Sequence, residues 1–326
     1  MLVERAGNGY SDFRIPGIVA TSEGSLLRYC ECRRSQGDWA DIDLKVSRST
    51  DGGKSWETVL LIESGGSTLN NPVMIADGDR LVFLYCKNYR EIRKRVSLDD
   101  GKSFGESVRV DFEREADFFY NAVAIGPGHG TVHRERLIVP IWFAYNRENE
   151  KSHHPSFIST LYSDDRGESW HLGEMIFRDI LTDPSECALA VTAEDEILIS
   201  IRHEGEARRR ALAVSTDGAS GWRGLRFEEN LPDPVCMGSM THRDGRIYHS
   251  NCASDSARKN LTVKISRDGF ETCRSIFISE AGGYSDVALL GNRLCVFYEK
   301  TVRLKADGKT VTAPFELFFE AIDIAE

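Results

Sequence analysis

Residues 49–56 read Ser-Thr-Asp-Gly-Gly-Lys-Ser-Trp, a tight turn in the pattern S-x-D-x-G-x-x-W. Ser and Asp side chains bond nearby backbone N–H groups in such a turn. Gly permits the positive φ it needs, and the ring packs on the turn and fixes where the hairpin enters the core. One copy says little, because any Asp-Gly hairpin resembles it. This chain repeats it. Ser163, Asp165, Gly167 and Trp170 form a second full copy. In Ser97, Asp99, Gly101, Phe104 the last place is Phe. In Ser215, Asp217, Trp222 the Gly place holds Ala219, and in the worn copy Ser266, Asp268, Cys273 it holds Phe270. The Ser positions step by 48, 66, 52 and 51 residues. A period of about 50 residues is that of a four-stranded propeller blade.

Strand-like runs surround the turns: residues 80–85 (RLVFLY), 136–143 (RLIVPIWF), 196–201 (EILISI), 246–250 (RIYHS) and 293–298 (RLCVFY). They are rich in β-branched and aromatic residues and bounded by turn formers. Amphipathic helical periodicity is hard to find, and there is no linker or shift in composition. The reading is all-β, one domain over residues 1–326, a six-bladed β-propeller. Five blades carry the turns. The terminal segment 315–324 (FELFFEAIDI) supplies a sixth, which combines strands from both chain ends and so leaves no open sheet edge.

The 326 residues carry a formal net charge of −10, which gives nucleic acid no footing and offers no long-range attraction to an acidic ligand. An anion site must be built locally, from arginines. The eight cysteines match no zinc-ligand spacing. Cys30 and Cys32, two apart in a strand-like run, share a face and read as small apolar packing residues. The first ten residues, MLVERAGNGY, hold no apolar run of leader length, and no stretch is long enough to cross a membrane. The expectation is a cytoplasmic protein with reduced thiols; a chain that had lost a leader would instead be secreted.

FRIP at 13–16 and the five turns are joined by GPGHG at 126–130, SECA at 185–188 and a strand ending in Arg202. PDPVCMGS at 232–239, ARKNLTV at 257–263 and GYSD at 283–286 complete the set. Together they resemble the sialidase (neuraminidase) family of glycoside hydrolases, in the family's order, from about Phe13 to Glu299. The resemblance implies a six-bladed propeller with its active site at the centre of one face. It implies sialylated glycans as partners and no metal or organic cofactor. A sialic acid is a 2-keto sugar with a carboxylate on its anomeric carbon, and guanidinium groups are planar, bidentate, permanently charged donors suited to that anion. By motif the three arginines that hold it fall on Arg14, Arg202 and Arg258. Arg208, Arg209 and Arg210 read instead as the exposed charge of a hairpin, since consecutive strand residues cannot share a face.

A carboxylate attacking that carbon would be repelled by the substrate's own carboxylate, whereas a neutral phenol escapes this if a base takes its proton; sialidases with a Tyr nucleophile are a recognised exception to the two-carboxylate scheme. The resemblance assigns the nucleophile to Tyr284 and its base to Glu186. The general acid, five residues before the Asp of the Ile42-Asp43 pair, becomes Asp38; Asp41 competes in the same loop, and Asp43 reads as a strand or turn residue. An acid of this kind is expected to have a raised pKa, and Trp39 is there to lower local polarity. Glu299 would orient Arg14. Arg33 would lie near the sugar's 4-hydroxyl, and Asn71 near the 4-hydroxyl and N-acyl group. The implied activity is that of a retaining exo-α-sialidase. The same residues leave open hydrolysis of another 2-keto-3-deoxy sugar acid such as deaminated sialic acid, transfer to an acceptor glycan, and a glycan-binding propeller without catalysis. YCECRR before the Arg33 position and Cys252 in SNCAS depart from the family's usual pattern and bear on pocket shape.

Overall fold

The computed structural model describes residues 1–113, 118–306 and 309–324. Among these residues there is no helix; six sheets form the blades of a propeller. The first blade runs outward through Asp12–Ala20, Leu26–Arg33, Ile42–Ser49 and Glu57–Ile62. The fourth repeats the plan with Cys187–Val191, Ile197–Ile201, Arg209–Ser215 and Arg223–Pro232. The fifth does so with Ser239–Arg243, Arg246–Cys252, Lys259–Ser266 and Arg274–Ala281. In the second blade, Gly128–His129 joins the axial side of Leu69–Asp77 in parallel. In the sixth, Leu2–Glu4 pairs antiparallel with Lys309–Asp323, so the two chain ends share one sheet, as expected.

Second strands are pressed between neighbouring blades on both faces. Ile197–Ile201 is buried at every residue, whereas the outermost strand Glu57–Ile62 has no fully buried residue. Burial on both faces erases alternation and leaves continuous apolar runs, which is why the second strands stand out in the sequence.

Each recurrent turn joins the third and fourth strands of its blade. Ser49 Oγ accepts the Gly53 N–H at 2.9 Å, Asp51 Oδ1 accepts the Ser55 N–H at 3.0 Å, and the Trp56 indole N–H reaches the Gly53 carbonyl at 3.1 Å. The same bonds recur around Ser163, with the Trp170 indole donating to Gly167 at 3.0 Å. Hydrogen bonds from the Ser103, Ser169 and Thr272 hydroxyls lead in holding Asp99, Asp165 and Asp268 down at about 2. The turns also dock on the preceding blade. Gly53, at φ +87°, has no room for a side chain, because a Cβ would lie 2.2 Å from the Phe319 ring. The worn copy replaces Gly by Phe270 at φ +76°, and its ring packs with Leu198 of the preceding blade. The turn therefore sets blade-to-blade packing as well as hairpin shape.

The axis is closed by a pair in which Asp286 is fully buried and His129 largely so. Asp286 takes the Ile18 N–H at 2.8 Å and His129 Nδ1 at 2.7 Å, tying three blades together. Burial alone would lower the His129 pKa, but the charge and hydrogen bond of Asp286 outweigh it and raise it. Breaking one partner of such a pair costs about 3–5 kcal/mol, so His129→Gln should destabilise the fold on that scale. A raised folded pKa means that the contribution is complete below the ordinary value of 6.5 and is lost as pH rises through the folded value. Urea unfolding from pH 5.5 to 9 should therefore show the wild-type advantage shrinking with rising pH; an advantage that grew with pH would contradict the charged pair.

Candidate active site

In an antiparallel blade the start of the innermost strand and the end of the second lie at the same end. Arg14 stands near the start of an innermost strand, Asn71 near the start of the strand beside Gly128–His129, and Glu186 and Tyr284 immediately before innermost strands. Arg33 ends a second strand, and Arg202 immediately follows one. Two β-bulges re-aim the backbone here, one between Arg14 and Gly17 and one between Asn70 and Val73. At these bulges Ile15 sits at φ +55° and Asn71 at φ +50°. For a β-branched residue such as Ile15 this is a strained backbone held by its surroundings.

A pocket of ≈ 160 Å³ opens at this end, lined by Arg14, Arg33, Asp38, Asn71, Glu186, Arg202, Arg258 and Tyr284 among others. Every residue given a catalytic or substrate-binding role from the sequence reaches it; the supporting Glu299 lies directly behind Arg14. Glu299 is fully buried and grips Arg14 twice, at 2.7 Å to Nη2 and 3.1 Å to Nε. It also accepts the N–H groups of Tyr284 at 3.1 Å and Ile15 at 3.3 Å. Burial would raise its carboxyl pKa, but Arg14, Arg258 and the Tyr284 N–H together lower it. Gly283 permits the contact, since a Cβ there would lie 2.8 Å from Glu299. The Arg14 and Arg258 guanidiniums each stand 5.3 Å from the centre of the Tyr284 ring. Among the described residues Arg258 makes no hydrogen bond or ion pair, so its donors are free for a ligand. Three guanidiniums around one cup can bind a carboxylate through charge-assisted hydrogen bonds.

At the base of the cup the Tyr284 hydroxyl donates to Glu186 Oε1 at 2.5 Å and receives Arg202 Nη1 at 2.9 Å. Arg202 also pairs with Glu186. Burial, then the Glu186 charge, raise the Tyr284 pKa against the pull of Arg202 and Arg258, so the phenol keeps its proton until a base takes it. Phenol and carboxylate meet here across the axis, from the sixth and fourth blades.

Asp38 overturns one expectation. Its carboxyl is half-buried and bonded to Arg33 Nη1 at 3.0 Å. Burial would raise its pKa, but Arg33, His153 and Arg14 together lower it. The expected raised pKa presupposed a low-polarity loop, whereas the loop folds against a guanidinium. Asp41 and Asp43 face elsewhere: Asp41 receives the Ser64 hydroxyl, and buried Asp43 takes Tyr10 at 2.6 Å and Arg34 at 2.6 Å. Asp43 lies in the strand Ile42–Ser49, as read, and anchors the loop from there.

Of the Arg208–Arg210 run, Arg208 is exposed as expected, but Arg210 is not. Alternation does separate Arg209 from Arg210, but it turns Arg210 inward, where it is fully buried. Other residues were missed. Glu31 is fully buried and holds Arg33 at 2.8 Å and the Asn71 N–H at 2.9 Å. Its spacing of two from Arg33 on one strand was the available signal. Tyr89, Trp142, His153 and Glu204 complete the far wall, where His153 stacks on Trp39 with ring centres 4.5 Å apart. Nothing in the His153-His154 pair, on a loop, marks that position. Cys30 and Cys32 pack in the core beside Phe13 and Phe297, and all eight cysteines are free thiols. Among the described residues no His, Cys, Asp and Glu cluster is placed to hold a metal ion.

Comparison with known proteins gives the same picture. The BNR repeat-like domain family matches residues 26–294. A sialidase of Bacteroides fragilis is 25% identical over 350 residues, covering 92% of this chain and 62% of that protein. The solved Hadza microbial sialidase Hz136 superposes with a TM-score of 0.81 at 21% identity, over 99% of this chain and 68% of that one. Trypanosoma rangeli sialidase in complex with sialic acid gives a TM-score of 0.71 at 19% identity, over 98% and 56%. The chain thus spans about three fifths of the length of the Bacteroides relative. Its repeats, its fold and the matching family model make it a member of the BNR repeat-like domain family, similar over most of its length to sialidases.

Proposed function

We propose that this protein is a retaining exo-α-sialidase acting on terminal sialic acids of glycoconjugates. The observation that carries the reading is the shared pocket: Arg14, Arg202 and Arg258 surround a buried Tyr–Glu pair, with Asp38 at the lip. The arginines bind the substrate carboxylate and orient C2. Tyr284 attacks C2 as its proton passes to Glu186, and Asp38 protonates the departing glycosidic oxygen. Asp38 then takes a proton from water, which attacks C2. The Tyr284–C2 bond breaks, and Glu186 returns its proton to the phenolate. Two displacements at one carbon retain configuration.

The low pKa of Asp38 fits this role once a substrate binds. The substrate carboxylate offsets the charge of Arg14, and the aglycone covers the carboxyl from water; both raise its pKa. In the free enzyme the acid form belongs to pH below the usual carboxylate range, so kcat/KM should already fall from there as Asp38 ionises, while kcat, which reports the complex, should hold into mildly acidic solution. Arg33→Met removes the nearest cation from Asp38. It should move the basic limb of the kcat/KM profile to higher pH while lowering its maximum; a limb that stayed in place would argue against Asp38 as the acid.

Proton NMR of the first-formed product from an aryl α-sialoside should show the α anomer, which then mutarotates. An initial β anomer would rule out two displacements. Tyr284→Phe, which keeps the ring and its packing, should lose about 10³-fold or more in kcat. Binding of a sialoside with no turnover by the wild type, unaffected by this substitution, would favour a glycan-binding propeller instead.

A further inference from the structure

Arg210 has the largest side chain among the fully buried residues. A guanidinium out of water costs several kcal/mol unless its partners repay it. Its single carboxylate partner repays poorly, since Asp233 Oδ2 lies 3.5 Å from Nη1 alone, with no paired fork. The other contacts are to uncharged oxygens. Nε donates to Ser200 Oγ at 2.9 Å, and Nη2 to the carbonyls of Ser200 at 2.9 Å and Glu186 at 3.3 Å. Nη1 donates to the carbonyl of Cys236 at 2.9 Å. All five donors of the fork are thus spent, four of them on neutral groups. An ion pair kept for stability would not look like this.

Two of the three carbonyls it selects flank the phenol. Glu186 is the carboxylate that receives the Tyr284 proton, at 2.5 Å. Cys236 is fully buried and packs with Tyr284, Ile15, Met237 and Cys252. Arg210 therefore grips the backbone on both sides of the phenol: the fourth blade, which carries the base, and the crossing to the fifth blade, on which the ring rests. That crossing is strained. Val235 sits at φ +62°, a conformation β-branched residues avoid. Asp233 Oδ1 holds the next N–H, that of Cys236, at 2.9 Å. Arg210 and Asp233 clamp Cys236 from its two backbone groups. Meanwhile Arg14 is fixed by Glu299 and Arg258 stands on the rim, both outside this clamp.

We propose that Arg210 is a positioning residue for nucleophile activation, holding the Glu186 backbone and the bed of Tyr284 in register so that the phenol proton can transfer. The inference rests on the sialidase reading. It predicts a separation: loss of Arg210 slows formation of the tyrosyl–sugar bond but leaves the carboxylate cup able to bind. Displacement of a reacting group by about 1 Å can cost about 10²-fold in rate. Lys cannot span two separate carbonyls with a rigid fork, so the charge alone should not rescue.

The test uses Arg210→Met, Arg210→Lys and the double variant Arg210→Met/Asp233→Asn, which leaves no unpaired carboxylate if the single one folds poorly. Calorimetry with 2-deoxy-2,3-didehydro-sialic acid reads the cup. Mass spectrometry of covalent labelling by a 2,3-difluoro sialic acid reads the nucleophile. In the folded variants, labelling should slow by about 10²-fold, with affinity for the unsaturated analogue within about threefold of wild type, on the side of uniform binding untouched. Labelling at the wild-type rate in any folded variant overturns the proposal. Labelling and affinity falling by the same factor, or failure of all three variants to fold, also overturns it, because Arg210 would then serve stability alone. Wild-type protein that binds no analogue overturns the sialidase reading itself, and this inference with it.

Discussion

One buried carboxylate organises the front of this molecule. Glu299 is sealed from water, yet it accepts Arg14 twice and the backbone N–H groups of Ile15 and Tyr284. A buried charge is tolerable only when its lone pairs are filled, and here four donors fill them. These donors come from the first and sixth blades, the two that meet where the ring of blades closes. The contact that closes the propeller at this end is therefore also the one that sets an arginine and the phenol side by side. Strain at Ile15 and the close approach at Gly283 follow from bringing both backbones to one side chain.

Charge is distributed to match. The chain is acidic overall, with a formal net charge of −10, so a cationic cup is a local construction against the general trend. Each guanidinium there has its own arrangement: Arg14 on Glu299, Arg33 between Glu31 and Asp38, Arg202 on Glu186, and Arg258 uncommitted. Paired arginines are rigid and already desolvated, so an incoming anion orders less of the site. The uncommitted one, at the exposed rim, supplies donors with no internal competitor. Asp38 stands between these fields, and its ionisation is governed by what neutralises them.

How much of this was legible in the sequence follows from the range of each interaction. The turns are local: Ser49, Asp51, Gly53 and Trp56 bond within eight residues, so their pattern survives in the chain and reveals five of the six blades and their order. Second strands are legible because burial on both faces leaves continuous apolar runs. The candidate site residues were found through motifs shared with a family, since Tyr284 and Glu186 lie 98 positions apart and no spacing announces that they touch. What escaped was set by tertiary burial. Arg210 and Glu31 are charges in a core, and their strands give only a choice of two faces without saying which is inward. The sign of the Asp38 shift escaped too, because it depends on where the Arg33 side chain ends up, 3.0 Å from the Asp38 carboxyl.

The central claim is geometric: guanidiniums from three blades grip one carboxylate above a phenol that is ready to bond. A crystal structure with 2-deoxy-2,3-didehydro-sialic acid bound tests it most directly. The account predicts that Arg14, Arg202 and Arg258 all donate to the ligand's carboxylate, with the Tyr284 hydroxyl beneath C2 and Asp38 near the position of the leaving oxygen. A ligand carboxylate held by other residues, or a C2 shielded from Tyr284, would contradict it.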